Sequence, residues 1–262
     1  MGLSFASVLA QAHCNIAAID IVSAPSRELL DLSAKCNVSV RYYTCDISSQ
    51  TQVNEVIAQV ERDFGRIDIN VNAAGIVTDE KFTSTTEETI KRTFAVNVYG
   101  SYFVAQACAS SMIKRITSSA QRLPVDPAEG SIVFIGSIST YIPSVAQSIS
   151  AYIGSKAAIG GMVKPLAVEL APFGIRVNSL SPGYMMTDMM QALQRQSPDL
   201  VRQFQKETLL GGGTRIGRPE ELQGPMLLLC SSKGGSWITG QDILVDGGAG
   251  GWKHFGAANH EG

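Results

Sequence analysis

Residues 131–137 read Ser-Ile-Val-Phe-Ile-Gly-Ser, and residues 151–156 read Ala-Tyr-Ile-Gly-Ser-Lys. The first is an uninterrupted apolar run, rich in β-branched and aromatic side chains and closed by glycine and serine. That is the pattern of a strand buried on both faces. The second opens a mostly apolar stretch, 151–173, read as a helix in spite of Gly160, Gly161 and Pro165. A doubly buried strand followed by a covering helix is the repeating piece of a parallel sheet.

The same alternation extends outward in both directions. Strands are expected at 15–20, 38–44, 67–72, 131–136, 175–180 and 242–245. Helices are expected at 25–36, with Pro25 near its start, at 48–65, with Ser48 or Ser49 as cap and Gly65 as stop, and at 87–116. Residues 117–130, with Pro124 and Pro127, read as a surface loop, and 184–213 as a Met-rich lid over a pocket. The whole predicts an α/β fold, a doubly wound parallel sheet of the Rossmann-like kind, in a single domain over 1–262.

Composition narrows the partners. The chain of 262 residues is 45% hydrophobic and 17% charged, with a net charge of -2. It has no basic footprint for nucleic acid, so small, largely neutral ligands are expected. The five cysteines stand singly, at no metal or redox spacing, and are read as reduced thiols. His13, His254 and His260 are isolated, and no metal is expected. The apolar run 3–12 lacks a preceding positive charge and is broken by Gln11 and His13. It falls short of the about 20 residues of a membrane span, and a cytoplasmic location without membrane attachment is expected.

The chemistry is carried by Tyr152 and Lys156, four residues apart and so on one helical face. A phenol titrates near pH ~10 and exchanges protons at neutral pH only with positive charge beside it, which Lys156 supplies. Asn97, Ser137 and the turn Ser181-Pro182-Gly183 fall at or near the carboxyl ends of predicted strands, where open α/β sheets bind ligands.

This set, in order and spacing, resembles the short-chain dehydrogenase/reductase family along residues 2–248, nearest in pattern to the fungal polyol dehydrogenases and ketose reductases. The resemblance implies a tetrad of Asn97, Ser137, Tyr152 and Lys156. Ser137 would hold the substrate oxygen, Tyr152 exchange its proton, Lys156 bind the nicotinamide ribose and Asn97 hold a relay water. Ser139 competes for the serine role: it stands 13 residues before Tyr152, whereas Ser137 stands 15 before, the longer spacing of the polyol branch. Asp20 would accept bonds from both adenine-ribose hydroxyls, which favours NAD over NADP. Asp46 and Ile47 match the adenine-contacting pair. Asn72, Ala73, Ala74 and Gly75 match the family's Asn-Asn-Ala-Gly turn with alanine in place of the second asparagine. Pro182, Gly183, Met185 and Thr187 match the segment that holds the carboxamide and pyrophosphate.

The implied reaction is hydride transfer between NAD(H) and a secondary alcohol or ketone, a polyol or sugar alcohol being the first expectation. A homotetramer or homodimer through helices 87–116 and 151–173 is implied as well. The front departs from the family: of the Thr-Gly-x-x-x-Gly-x-Gly phosphate loop only Gly2 has a match, and the strand before it has none. The preferred expectation is a fragment, or a reading begun at an internal Met; its rival is a natural chain that binds NAD weakly. A non-catalytic, truncated pseudoenzyme that only oligomerises with intact relatives is the alternative from another class. An epimerase or dehydratase ranks lower for want of length for an extra substrate domain.

Overall fold

In the computed structural model, which describes residues 1–118, 129–144 and 146–251, the two longest strands are also the most buried. These are β4 (Gly130–Ile135) and β5 (Ile175–Pro182), buried at every position. Side chains alternate across a strand, so Ile132 and Phe134 enter one core while Val133 and Ile135 enter the other. Each such side chain contributes about 2–3 kcal/mol of apolar burial. Pro124, Pro127, His254 and His260 lie outside the described residues.

All pairings are parallel and fall into two sheets. One holds β1 (Ile16–Asp20) and β2 (Val40–Thr44). The other has the order β3-β4-β5-β6, with β3 at Ile69–Asn72 and β6 at Asp242–Val245. Between β1 and β3 no strand is paired among the described residues, and a slot of about 630 Å³ runs there.

Helices cover both faces. α1 (Gly2–Gln11), α2 (Arg27–Cys36) and α9 (Gln223–Cys230) pack on one side through Phe5, Leu9, Leu29, Leu32 and Met226. α3 (Gln50–Phe64), α5 (Ser101–Ser118) and α6 (Ser150–Leu170) pack on the other through Val53, Ile57, Met112 and Ile159. Local chemistry sets the ends of α3. Ser49 accepts from the backbone N of Gln52, and Gly65 takes a left-handed φ of 78° that a side chain would resist. α2 is capped by Ser26, whose hydroxyl accepts from Leu29 N, so it starts after Pro25 and not at it.

The single helix expected over 87–116 is three pieces. α4 (Glu87–Phe94) gives way to one wide π turn (Ala95–Gly100) before α5 resumes. The segment 184–213 is largely helical: α7 (Asp188–Gln196), capped by Thr187, is followed by α8 (Pro198–Glu207), which buries Val201 and Phe204.

Candidate active site

The π turn is where the site begins, because it swings Asn97 into the interior. The Asn97 side chain is fully buried and completely used: Oδ1 accepts from Ile76 N at 2.8 Å, and Nδ2 donates to Ile76 O and to Ser155 Oγ, each at 2.9 Å. Wide turns of this kind are found at functional positions, where an extra residue re-aims a side chain. Ser155 Oγ in turn donates to Tyr152 O at 2.7 Å, so Asn97 is tied to the first turns of α6.

On α6, Tyr152 and Lys156 share a face as the spacing requires, with Lys156 Nζ 5.9 Å from the centre of the Tyr152 ring. Lys156 is buried and donates to Ile135 O at 2.7 Å, at the end of β4. Burial brings its pKa down to about 8. For Tyr152 burial pushes the pKa up, and a hydrogen bond with Ser137 opposes it. Ser137, just past β4, is buried and its Oγ also accepts from Ser139 N at 3.1 Å. Of the two serines, Ser137 is the one whose hydroxyl acts on the Tyr152 phenol.

Gly75 completes the cluster. A Cβ there would stand 3.4 Å from Asn97 Oδ1 and 3.5 Å from Lys156 Nζ, so the glycine leaves room directly against both groups. Asn97, Ser137, Tyr152, Lys156 and Gly75 are thus brought together by two strand ends, the π turn and α6.

The other expected positions divide. Gly2, Asp20, Ile47, Asn72 and Ala73 line the slot between β1 and β3. Asp20 is exposed at the tip of β1 and accepts from Val22 N at 3.2 Å; Asn72 is buried and donates to Asn70 Oδ1 at 2.7 Å. Asp46 is turned onto its own loop, accepting from Ser48 N and Ser48 Oγ. Pro182 ends β5, and Gly183 lies so close to β6 that a Cβ would come within 2.6 Å of Asp246 Cα. Met185 is buried in the core, its Sδ within 2.5 Å of where a Gly217 Cβ would lie, and its carbonyl accepts from Thr187 N.

Sequence reasoning missed Ser155, although it lies inside the quoted Tyr-Ile-Gly-Ser-Lys segment. It also missed a carboxylate beside the cluster: Asp242, at the start of β6, accepts from Ser181 Oγ at 2.8 Å and from the Tyr141 phenol. Asp242, Tyr141, Ser181 and Lys156 border a second cavity of about 380 Å³. An acid opening a predicted strand was the only available signal.

Comparison with known proteins identifies the relatives of the chain. Residues 1–250 match the family model described as enoyl-(acyl carrier protein) reductase. A sorbose reductase of Schizosaccharomyces pombe is 33% identical over 95% of this chain and 91% of its own length. The NADH-dependent L-xylulose reductase of Ambrosiozyma monospora is 34% identical over 80% of this chain and 73% of its own. Among solved structures, a short-chain type dehydrogenase/reductase from Mycobacterium marinum matches with a TM-score of 0.82 and 33% identity, covering 95% of this chain and 90% of that one. The chain belongs to the short-chain dehydrogenase/reductase family. An NAD+-bound xylitol dehydrogenase gives a TM-score of 0.80 at 28% identity, covering 94% of each chain. No helix of this family member is long and apolar enough, among the described residues, to cross a membrane.

Proposed function

We propose that the chain exchanges a hydride between NAD(H) and a secondary alcohol or ketone of the polyol or sugar class. The observation that carries this reading is the buried Lys156 ammonium 5.9 Å from the centre of the Tyr152 ring, with the Ser137 hydroxyl acting on the same phenol. Ser137 Oγ orients the substrate oxygen, and Tyr152 Oη gives its proton to that oxygen in reduction or takes one in oxidation. A positive charge at Lys156 favours the phenolate and so acts against the burial that pushes the phenol's pKa up. Asn97, with its own groups used by Ile76 and Ser155, holds the backbone turn beside Gly75 open for a relay water.

The residues present fit a nicotinamide dinucleotide, since Gly75 leaves space over Lys156 and Asp20 stands exposed at the tip of β1. Asp20 would take the adenine ribose, Ala73 and Gly75 the backbone approach, Lys156 the nicotinamide ribose, and Gly183 with Thr187 the carboxamide side. When bound, the dinucleotide supplies or accepts the hydride. The carboxylate of Asp20 favours NAD over NADP by repelling a 2′-phosphate. The polyol preference is supported by the sorbose and L-xylulose reductases among the relatives. A cytoplasmic homodimer or homotetramer, with 184–213 as substrate lid, belongs to the same reading.

The test is NADH-linked reduction of sorbose and L-xylulose. Tyr152→Phe is expected to lower kcat by about a thousandfold with the melting temperature unchanged, the size of a lost general acid. Retained turnover would remove Tyr152 from its role. The second reading is a non-catalytic chain that assembles with relatives; absence of NADH binding in a fluorescence titration would select it.

A further inference from the structure

The loop that joins Ser137 to Tyr152 has no charged side chain over 138–150. It is tied instead to carboxylates that lie outside it. Tyr141 Oη donates to Asp242, and Ser148 N donates to Asp79 Oδ1 at 2.8 Å. Between them, the Ser144 hydroxyl acts on the Tyr184 phenol, which donates to Glu207 Oε2 at 2.7 Å.

This middle tie joins the loop to the segment 184–213. Tyr184 follows directly on Pro182 and Gly183, at the carboxyl end of β5, and Glu207 is the last residue of α8. The carboxylate is fixed from both sides, because Gln203 Nε2 donates to Oε1 at 3.1 Å and the Tyr184 ring is stacked on Phe204 at 4.2 Å. Burial and the Glu207 carboxylate together push the Tyr184 phenol's pKa up, and no basic side chain acts on it. Of the cations in the segment and at its end, Arg202 is paired with Asp199 and Arg215 with Glu221, while Arg195 and Lys206 are exposed. A half-buried negative charge therefore stands beside the loop of Ser137 and Tyr152, without a cation to neutralise it.

We propose that Glu207 selects substrates by charge: it admits neutral polyhydroxy ketones and alcohols and rejects sugar acids of the same size. The proposal rests on the hydride-transfer reading and names the substrate class of that site more narrowly. An ionised carboxylate has about four lone-pair positions, and two oxygens held by one donor each leave room for substrate hydroxyls. A substrate carboxylate brought within several ångströms is repelled, at a cost on the order of tenfold in affinity, and more where the covering helices exclude water.

The test compares NADH-linked reduction of L-sorbose with that of 5-keto-D-gluconate. The second has the same carbon skeleton and configuration, with a carboxylate in place of the CH2OH group farthest from the ketone. The parent chain is expected to favour L-sorbose in kcat/KM by about tenfold or more, and this preference should shrink at about 1 M KCl, where the screening length falls to ~3 Å. Glu207→Gln keeps an acceptor for Tyr184 and is expected to raise the ratio of acid to neutral substrate about tenfold, chiefly through a lower KM for the acid; Glu207→Asp should keep the parent's ratio. A purely structural role for Glu207 would lower both activities and leave the ratio alone. An unchanged ratio in Glu207→Gln, or an equal shift in Asp79→Asn, would overturn the proposal. Should Glu207→Gln fail to fold, a parent ratio indifferent to salt would overturn it. Turnover of neither ketone would overturn the hydride-transfer reading and the selection with it, whereas turnover of both without preference would overturn the selection alone.

Discussion

The two sheets do different work and are built to different standards. β3 to β6 form a continuous four-stranded sheet whose central strands are buried throughout, and every residue of the Tyr152 cluster hangs from its ends or from helices packed on it. β1 and β2 form a two-stranded leaf, largely half-exposed, which carries Asp20 and is held by α1, α2 and α3 and not by strand pairing to its neighbour. The half that holds the Tyr152 cluster is over-determined by packing. The half assigned to the adenine end rests on helix contacts alone. An isolated two-stranded unit is marginal by itself, so the leaf depends on its helical cover.

Perturbations should therefore be felt differently in the two halves. The largest effect expected on the rigid side, after the loss of turnover in Tyr152→Phe, comes from Gly183→Ala. Its Cβ would come within 2.6 Å of Asp246 Cα, backbone against backbone, where nothing flexible can yield. We expect a loss of about 3 kcal/mol in urea unfolding; a neutral result would show that β5 and β6 can separate.

Lys156→Met sharpens the contrast with a gain. Burial holds the Lys156 pKa down from 10.5 to about 8, so the folded state binds fewer protons than the unfolded state between those values. Stability of the parent chain therefore rises with pH across that window, and the full penalty applies below pH 8. Removing the ammonium is expected to stabilise the protein by about 2 kcal/mol at pH 7, discounted for the carbonyl of Ile135 left without its donor. The gain should vanish by pH 10.5 in a series of melting curves, while activity is lost at every pH. A gain that persists at high pH would locate the strain in packing and not in the charge.

The smallest effect is expected on the leaf. Asp20→Ser leaves the fold alone, because Asp20 is exposed and its carboxylate accepts only from the neighbouring Val22 N among the described residues. It should shift the NADPH to NADH ratio of kcat/KM about tenfold toward NADPH. An unchanged ratio would place cofactor choice elsewhere.

What could be read from the chain follows the same division. Strands β4, β5 and β6 and the ends of α3 were legible because continuous apolar runs, a serine cap and a left-handed glycine act locally. Tyr152 and Lys156 were legible because helical spacing alone puts them together. The π turn was not, since it is stabilised by Ile76, 21 residues from Asn97, and by the close seat of Gly100 on Ile47. The segment 184–213 read as a polar lid because α7 has no buried residue and α8 buries only Val201 and Phe204, the latter stacked 4.2 Å from Tyr184. Ser155 and Asp242 acquire their roles only through contacts across 58 and 61 positions of chain.

The wide turn at Ala95–Gly100 also sets a phase. Each residue of an α-helix advances the side chains by about 100°, so deleting one residue there would let α4 run straight into α5 and turn all that follows by that angle. Ala105 and Ala109 would leave the core and Gln106 and Ser110 would take their places. A single codon thus separates a buried Asn97 from an ordinary amphipathic helix.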